Sequence, residues 1–187
     1  MTTGVALEVR KAGMRDIANI LSLINQYAAQ GVMLPRTEFE MSENIRDFSC
    51  AYDGGQLVGC GALHFYTPTT AEVRSLAVLP EAAKGGIGRA LVESLEQEAE
   101  EQGLHAIFAF TYVPQFFARL GFSEVERGEL PLKVWKDCLR CSKFSGCDEI
   151  AVLKRLRNFG IGGSRLSAPD GGSELIQLPV PAKFPSR

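Results

Sequence analysis

The feature that most constrains this chain is a strand that ends at a proline and a glycine-rich turn that leads into a helix. Residues 72–92 read EVRSLAVLPEAAKGGIGRALV. Pro80 ends the strand pattern, and three glycines precede apolar residues at helical spacing. The first N–H groups of a helix have no partner within the helix, and they lie at the positive end of its dipole. The turn therefore predicts an anion site of the kind that holds phosphate groups.

Two widespread phosphate-binding patterns do not fit this turn. The loop G-x-x-x-x-G-K-[ST] is absent from the chain. Gly86-x-Gly88 begins like a dinucleotide fingerprint, but Leu91 stands where that fingerprint has a third small residue. Lys84 and Arg89 add positive charge on either side of the glycines. A glycine pair also occurs in simple helix caps, so the identity of the anion has to come from other motifs.

The bulk composition is that of an ordinary soluble domain. Of the 187 residues, 45% are hydrophobic and 22% are charged, with a formal net charge of −2. A general nucleic-acid binder would carry a basic excess. The first residues lack the apolar core of a signal peptide, and no run reaches the roughly 20 apolar residues that span a bilayer. We therefore expect a cytoplasmic protein with no membrane or nucleic-acid partner.

The order of the predicted elements is typical of an α/β (α+β) domain, with a mixed, mostly antiparallel central sheet flanked by helices. Residues 1–157 form this domain, and the Gly-, Ser- and Pro-rich residues 158–187 form a tail. The tail is expected to be flexible or to dock on a neighbour. LPLKVWKDCL is a further candidate helix. Strands are predicted at 5–11, 48–53, 56–66, 71–79, 104–111, 122–126 and 148–156, and helices at 14–30, from Thr37 onward, 87–102 and 115–121.

Five cysteines without a secretory signal indicate reduced thiols. Cys138, Cys141 and Cys147 have a spacing that could hold a metal ion. A structural zinc site usually has four ligands, and neither histidine lies near these cysteines in sequence. The sequence therefore predicts no metal.

Two motifs resemble the GNAT N-acetyltransferases. The first is V-x-x-L-x-V-x-P at 73–80 followed by G-x-G-x-x-L at 86–91, and the second is FFARLGF at 116–122. The resemblance covers roughly residues 5–155 and implies the GNAT fold and acetyl-CoA as co-substrate. The pyrophosphate would lie on the loop 84–89, and the pantetheine would pair with strand 73–78. The cofactor-binding residues that it implies are Leu76, Ala77, Val78, Lys84, Gly85, Gly86, Ile87, Gly88 and Arg89.

The chain departs from the family pattern at two places. Ala83 and Lys84 stand where the family usually has Gln or Arg and then Gly, so Lys84 would supply the charge from the next position. Phe117 aligns with the tyrosine that is the family's proposed proton donor to the leaving thiolate, and Phe cannot donate a proton. Tyr112, just past the end of strand 104–111, is a candidate substitute acid. Alternatively, the thiolate leaves unaided and takes a proton from water.

A narrower resemblance concerns the acceptor. Residues 31–37 (GVMLPRT), 59–63 (GCGAL), Glu72, and Leu130-Pro131 followed by R-x-S-K at 140–143 are similar to the acetyltransferase domain of bacterial N-acetylglutamate synthases, in their short, stand-alone form. This resemblance implies that glutamate is acetylated on its α-amine, the first step of arginine biosynthesis. It also implies that Glu72 is the general base and that Arg36 and Arg140 bind substrate. Arg74 joins this set because it lies two residues from Glu72, on the same face of the strand.

Three alternatives to this interpretation remain at the level of sequence. The enzyme could acetylate a different amine, such as another amino acid, a polyamine or a drug. It could bind acetyl-CoA without turnover, as a regulator. The cysteines after residue 137 could form a metal-binding module. A homodimer is compatible with each of the enzymatic readings.

Overall fold

The computed structural model describes residues 7–130 and 148–157. The strands are β1 (Glu8–Lys11), β2 (Phe48–Asp53), β3 (Gln56–Thr67), β4 (Thr70–Val78), β5 (Ala106–Thr111), β6 (Ser123–Glu124) and β7 (Ile150–Arg155). The helices are α1 (Ile17–Ala28), α2 (Glu38–Asn44), α3 (Ile87–Glu101) and α4 (Pro114–Ala118). No helix in these two ranges is long and apolar enough to cross a membrane.

The strands form one seven-stranded sheet in the order β1-β2-β3-β4-β5-β7-β6. All neighbouring pairs are antiparallel except β4 and β5, which are parallel. Helix α3 lies between β4 and β5 in sequence and makes the crossover that a parallel pair requires. The mixed, mostly antiparallel sheet predicted from the sequence is therefore confirmed.

Each face of the sheet buries its own hydrophobic cluster. Under α1 and α2, the buried residues include Ile20, Ile24, Met41 and Phe48. On the opposite face, a second cluster packs α3 and α4 against β4, β5 and β7; its members include Val92, Leu95, Leu104, Ile107, Phe117 and Phe122. A sheet covered by helices on both faces follows from strands whose apolar residues do not alternate cleanly with polar ones.

The local signals in the sequence place most element boundaries within two residues. Thr37 and Glu40 form the predicted capping box, with the Glu40 N–H donating to Thr37 Oγ1 at 3.2 Å and the Thr37 N–H donating to Glu40 Oε2 at 2.9 Å. The first predicted helix is shorter at both ends, because Met14–Asp16 form a 3-10 turn and α1 ends at Ala28. The candidate helix in LPLKVWKDCL and the predicted tail lie outside the described residues, apart from Leu130.

Strands β4 and β5 separate part-way along their length. Their pairing runs from Thr70 opposite Ala106 to Glu72 opposite Phe108, although β4 continues to Val78 and β5 to Thr111. A register shift lies in β4 opposite Gly61, where Ser75 adopts a positive φ of 53°. Such a bulge bends its strand and increases the local twist. The space between residues 73–78 of β4 and residues 109–111 of β5 is called the β4–β5 cleft below.

A partly buried ionic cluster fixes the start of α1 against β1 and β2. The Arg10 guanidinium donates two hydrogen bonds to the Asp16 carboxylate, at 2.9 and 3.1 Å. The Gly13 N–H and the Tyr52 hydroxyl donate to the same carboxylate, at 2.8 and 2.5 Å. The hydrogen bonds from Arg10 hold the pKa of Asp16 well below its usual range. Burial raises the pKa of Tyr52 to about 12.

We predict that Asp16→Asn destabilises the fold by about 2 kcal/mol at pH 7, because hydrogen bonds to a charged partner are lost while Arg10 stays partly exposed. The lowered pKa means that Asp16 contributes stability above its unfolded pKa of about 3.9, and that this contribution is lost as the pH falls. Urea unfolding at pH 7 and pH 3 measures both effects, and the difference from wild type should shrink at pH 3. Asp53→Asn, at the exposed end of β2, is the matched control. An equal loss at both pH values would contradict the assignment.

Candidate active site

The loop after β4 presents a helix N-terminus at one end of the β4–β5 cleft. Pro80–Ala82 form a 3-10 turn, and Gly86 caps α3 with a φ of 76° and a ψ of 5°. The first hydrogen bond of α3 runs from the Ala90 N–H to the Gly86 carbonyl. The N–H groups of residues 86–89 therefore precede the helical ladder and are available to an anion. Lys84 and Arg89 are exposed beside them, and Arg89 also lies 3.5 Å from Glu93.

Gly88 lets the first turn of α3 pack closely against an aromatic ring. A Cβ at this position would lie 3.3 Å from Phe116 Cζ and 3.8 Å from Val78 Cγ2. Phe116 of α4 therefore lies near the end of β4, beside the loop that presents the free N–H groups. Phe117 points into the core, where it is 3% exposed and packs edge-on against Phe122. Position 117 is therefore a buried apolar position, and its side chain carries no hydroxyl.

The backbone of Val78 is directed into the cleft. The Leu79 N–H donates to the Val58 carbonyl of β3 at 2.8 Å. Because the C=O and N–H of a trans peptide point in opposite directions, the Val78 carbonyl points away from β3. Val78 is paired opposite Gly59, and the same alternation turns its N–H away from β3 as well. The Val78 carbonyl accepts a hydrogen bond from the Tyr27 hydroxyl of α1 at 2.6 Å.

The side chains of the other residues predicted to bind the cofactor near Val78 pack into hydrophobic clusters. Leu76 is half-buried and packs against both the α3 cluster and the cluster around Ile87 and Leu91. Ala77 is 4% exposed, lies opposite Cys60 in the register, and has its side chain in the cluster under α1. Ile87 is also buried, so its contribution to an anion site is limited to its backbone N–H.

Glu72 lies where the two strands separate. It is the last β4 residue paired with β5, it is 9% exposed, and its side chain lies on the same face of the sheet as α1 and α2. The Tyr66 hydroxyl donates to Glu72 Oε2 at 3.0 Å. A carboxylate is therefore held at the apex of the cleft, opposite the end at which the helix N-terminus lies.

Arg74 lies on the same face as Glu72, as the sequence spacing predicts. Its guanidinium is 3.7 Å from Asp47 Oδ2, on the turn that precedes β2. Asp47 Oδ2 also pairs with His64 Nδ1 at 2.5 Å. Arg74 and His64 therefore both contact the Asp47 carboxylate on this face of the sheet.

The other residues predicted to bind substrate or donate a proton are less fully placed. Arg36 is half-buried on the loop between α1 and α2, where the Asn25 side chain holds its backbone with two hydrogen bonds of 3.0 Å. Tyr112 directly follows β5 and is 37% exposed. Arg140 lies outside the described residues.

The cysteines in the described part of the chain are buried. Cys50 and Cys60 are fully buried register partners in β2 and β3, and burial raises the pKa of Cys50 to about 12. Burial also raises the pKa of Cys60. Such thiols are poor nucleophiles at neutral pH. Among the residues described, no group of three or more His, Cys, Asp and Glu side chains is arranged to hold a metal. Cys138, Cys141 and Cys147 lie outside that part.

Sequence reasoning assigned no role in the site to Asp47, His64 or Tyr66, or to Tyr27 as a backbone partner. In the structure His64 lies opposite Glu72, but a register shift between Phe65 and Thr67 interrupts the β3–β4 hairpin. Counting back from Thr67 opposite Thr70 would have placed Phe65 opposite Glu72, so the turn alone does not indicate this pairing. Asp47 and Tyr27 reach the site from other elements, and no local pattern indicates their contacts.

The match to a family model decides which family this chain belongs to. The model of the Acetyltransferase (GNAT) family matches residues 14–122, more than half of the chain. The chain belongs to the GNAT acetyltransferase family. It is 45% identical over 148 residues to an uncharacterized N-acetyltransferase of Chlorobaculum tepidum, an alignment that covers 79% of this chain and 96% of the relative.

Two further relatives of this GNAT protein carry more specific names. An amino-acid acetyltransferase of Mycobacterium tuberculosis is 33% identical over 161 residues, or 84% of this chain and 91% of the relative. The crystal structure of N-acetylglutamate synthase from Neisseria gonorrhoeae, complexed with coenzyme A and N-acetyl-glutamate, superposes with a TM-score of 0.74 at 30% identity. That superposition covers 81% of this chain but only 35% of the gonococcal protein.

The protein is therefore an N-acetyltransferase, and acetyl-CoA is its co-substrate. The described residues fit this ligand in two respects. The unpaired N–H groups at the start of α3 suit a pyrophosphate, and the cleft edge of β4 offers peptide groups to an extended amide chain. These features lie at adjoining parts of one cleft, as a single elongated ligand requires.

We predict that Gly86→Ala raises the Kd for CoA about tenfold, because an L-residue disfavours the left-handed backbone that aims the first N–H groups of α3. Isothermal titration with CoA measures the change. Gly55→Ala is the matched control, since Gly55 has a similar φ of 81° in the β2–β3 turn. Both variants should lose similar stability, about 1 kcal/mol, but only Gly86→Ala should lose affinity. An unchanged Kd for Gly86→Ala would place the pyrophosphate elsewhere.

Proposed function

We propose that this enzyme transfers the acetyl group of acetyl-CoA to the α-amine of L-glutamate by direct attack, as the first step of arginine biosynthesis. The observation that carries the proposal is the position of Glu72 at the apex of the cleft, with Arg74 on the same face of the same strand. Glu72 can accept a proton and Arg74 can bind a carboxylate, and both lie at the β4–β5 cleft.

Glu72 is suited to act as the general base. An α-ammonium group must lose a proton before its nitrogen can attack the thioester carbon, and a carboxylate can take that proton directly or through one water. The Tyr66 hydroxyl donates to Oε2 at 3.0 Å and so helps to orient the carboxylate.

The Val78 N–H is suited to polarise the acetyl carbonyl. It points into the cleft, and a fixed peptide donor stabilises negative charge that develops on a carbonyl oxygen. The amine nitrogen then forms the new C–N bond, the C–S bond breaks, and CoA leaves as a thiolate that must gain a proton. Binding both substrates in one cleft supplies much of the acceleration by proximity.

The proton for the departing thiolate has no donor at position 117. Phe117 is buried in the core under α3, so the family's usual position cannot serve. We propose Tyr112 as the alternative acid, because it directly follows β5 at the cleft and is partly exposed. If Tyr112 does not act, the thiolate takes its proton from water.

The arginines supply the charge that a dicarboxylic substrate needs. Arg74 lies beside Glu72, and Arg36 stands on a loop held to α1. Arginine suits carboxylates because its planar guanidinium can donate two parallel hydrogen bonds. Arg140, which lies outside the described residues, remains part of the proposed set on the grounds of its motif. The names of the amino-acid acetyltransferase of M. tuberculosis and the gonococcal synthase support the same substrate class.

One observation favours a different acceptor. Asp47 lies 3.7 Å from the Arg74 guanidinium and offsets part of its charge. A neutral amino-acid side chain, or another small amine, would meet less repulsion there than the side-chain carboxylate of glutamate. The second candidate is therefore a GNAT enzyme that acetylates another small amine. A regulator that binds acetyl-CoA without turnover would release no free thiol with any amine.

We predict that a thiol-release assay of acetyl-CoA against the twenty amino acids gives the highest kcat/KM with glutamate. Glu72→Gln should lower kcat by about 100-fold or more with little change in the Kd for CoA, because a general base contributes on the order of 10² to 10⁴ to the rate. The isosteric amide cannot accept the ammonium proton but preserves the packing with Tyr66.

Two outcomes would count against this function. If glutamate is no better than the other amino acids, the substrate is wrong and only the family activity stands. If Arg36→Ala leaves the KM for glutamate unchanged, the loop after α1 does not bind the substrate carboxylate. Arg46→Ala, which removes an exposed arginine from the turn before β2, is the matched control for a loss of positive charge.

A further inference from the structure

We infer that the last turn of α1 aligns two parts of the site, with Asn25 and Tyr27 as positioning residues. One part is the loop between α1 and α2 that carries Arg36, called the acceptor loop, and the other is the end of β4 at Val78, called the donor strand. Asn25 acts through Arg36 and Tyr27 acts through Val78. The role inferred for Asn25 rests on the proposed function, whereas the role inferred for Tyr27 requires only that acetyl-CoA is the co-substrate.

Asn25 holds the loop that carries Arg36 by its backbone. Its side-chain oxygen accepts a hydrogen bond from the Arg36 N–H, and its side-chain amide donates to the Arg36 carbonyl, each at 3.0 Å. Only a side chain with both a donor and an acceptor on one planar group can make this pair of contacts. These two hydrogen bonds fix the Arg36 backbone, and so the position from which its side chain extends. Arg36 lies directly before the capping box that starts α2.

Tyr27 reaches the donor strand from the same turn of the helix. Its hydroxyl donates to the Val78 carbonyl at 2.6 Å, while the Leu79 N–H on the same peptide donates to Val58. The peptide plane between Val78 and Leu79 is thus held from both sides. Without the hydroxyl, this carbonyl would remain a free acceptor on the cleft edge, beside the Val78 N–H that is proposed to bind the thioester.

The two contacts are linked by a rigid element. Ile20, Leu23 and Ile24 of α1 are buried against the sheet, so the helix has little freedom to shift. Asn25 and Tyr27 follow directly, and they fix a loop on one side and a strand end on the other. The distance between the acceptor's carboxylate partner and the acetyl carbonyl therefore depends on one helical turn. An error of about 1 Å in such a distance is enough to lower the rate about 100-fold.

The inference predicts a separation of kinetic effects between the two residues. Tyr27→Phe should raise the Kd for CoA about fivefold, measured by isothermal titration, and leave the KM for the acceptor unchanged. Asn25→Asp keeps the acceptor for the Arg36 N–H but loses the donor to its carbonyl. It should raise the KM for the acceptor about fivefold and leave the Kd for CoA unchanged. A role limited to stability would lower the amount of active enzyme without changing either constant.

Matched controls on the full chain separate positioning from general loss of contacts. Tyr52→Phe also removes a hydroxyl in a part-buried hydrogen bond, but one that donates to Asp16. Gln26→Ala removes an exposed amide next to Asn25. Neither control should change the Kd for CoA or the KM for the acceptor by as much as twofold.

The outcomes distinguish this inference from the proposed function. The acceptor in these assays is the amine that gives the highest kcat/KM in the amino-acid screen, so a failure of glutamate leaves both arms measurable. The inference is overturned if Tyr27→Phe binds CoA as Tyr52→Phe does, or if Asn25→Asp matches Gln26→Ala in KM. It is also overturned if either variant changes both constants to the same extent.

Discussion

The structure depends on the separation of β4 from β5 after Glu72. Up to that residue the two strands are paired, and beyond it the bulge at Ser75 turns β4 away. A non-glycine residue with positive φ costs on the order of 1 kcal/mol, so the surrounding sheet must hold it in place. The Cys60 thiol donates weakly to the Ser75 carbonyl, at 3.8 Å, and Gly61 leaves room for Leu76, which would lie 3.2 Å from a Cβ there. The cleft is thus built into the sheet.

Separation of the strands creates both halves of the site. On the β4 edge, peptide groups that would bond to a neighbouring strand face the cleft, and they can bond to an extended ligand. At the open end, the first turn of α3 adds N–H groups for an anion. At the apex, Glu72 is buried on the α1 face. In the proposed function, backbone groups bind the acetyl donor and side chains bind the acceptor, which is consistent with a family that shares one co-substrate.

Much of this arrangement could be predicted from the sequence, for identifiable reasons. The Thr37 capping box, the glycine turn before α3 and the alternation that places Arg74 beside Glu72 all depend on residues close together in the chain. The contacts of Asp47 with Arg74 and of Tyr27 with Val78 join residues 27 and 51 positions apart, and they depend on how the helices pack on the sheet. No periodicity encodes such contacts. The position at which β4 and β5 separate was likewise not predictable, because Ser75 has no sequence signature of a bulge.

The central claim is that backbone N–H groups of Val78 and of residues 86–89 bind the donor. The most direct test is a titration of ¹⁵N-labelled protein with CoA, followed by amide chemical shifts. The account predicts that the largest downfield shifts fall on Val78, Gly86, Ile87, Gly88 and Arg89, because each would donate a hydrogen bond to the ligand. Saturable binding that leaves these five amides unshifted while others move would contradict it.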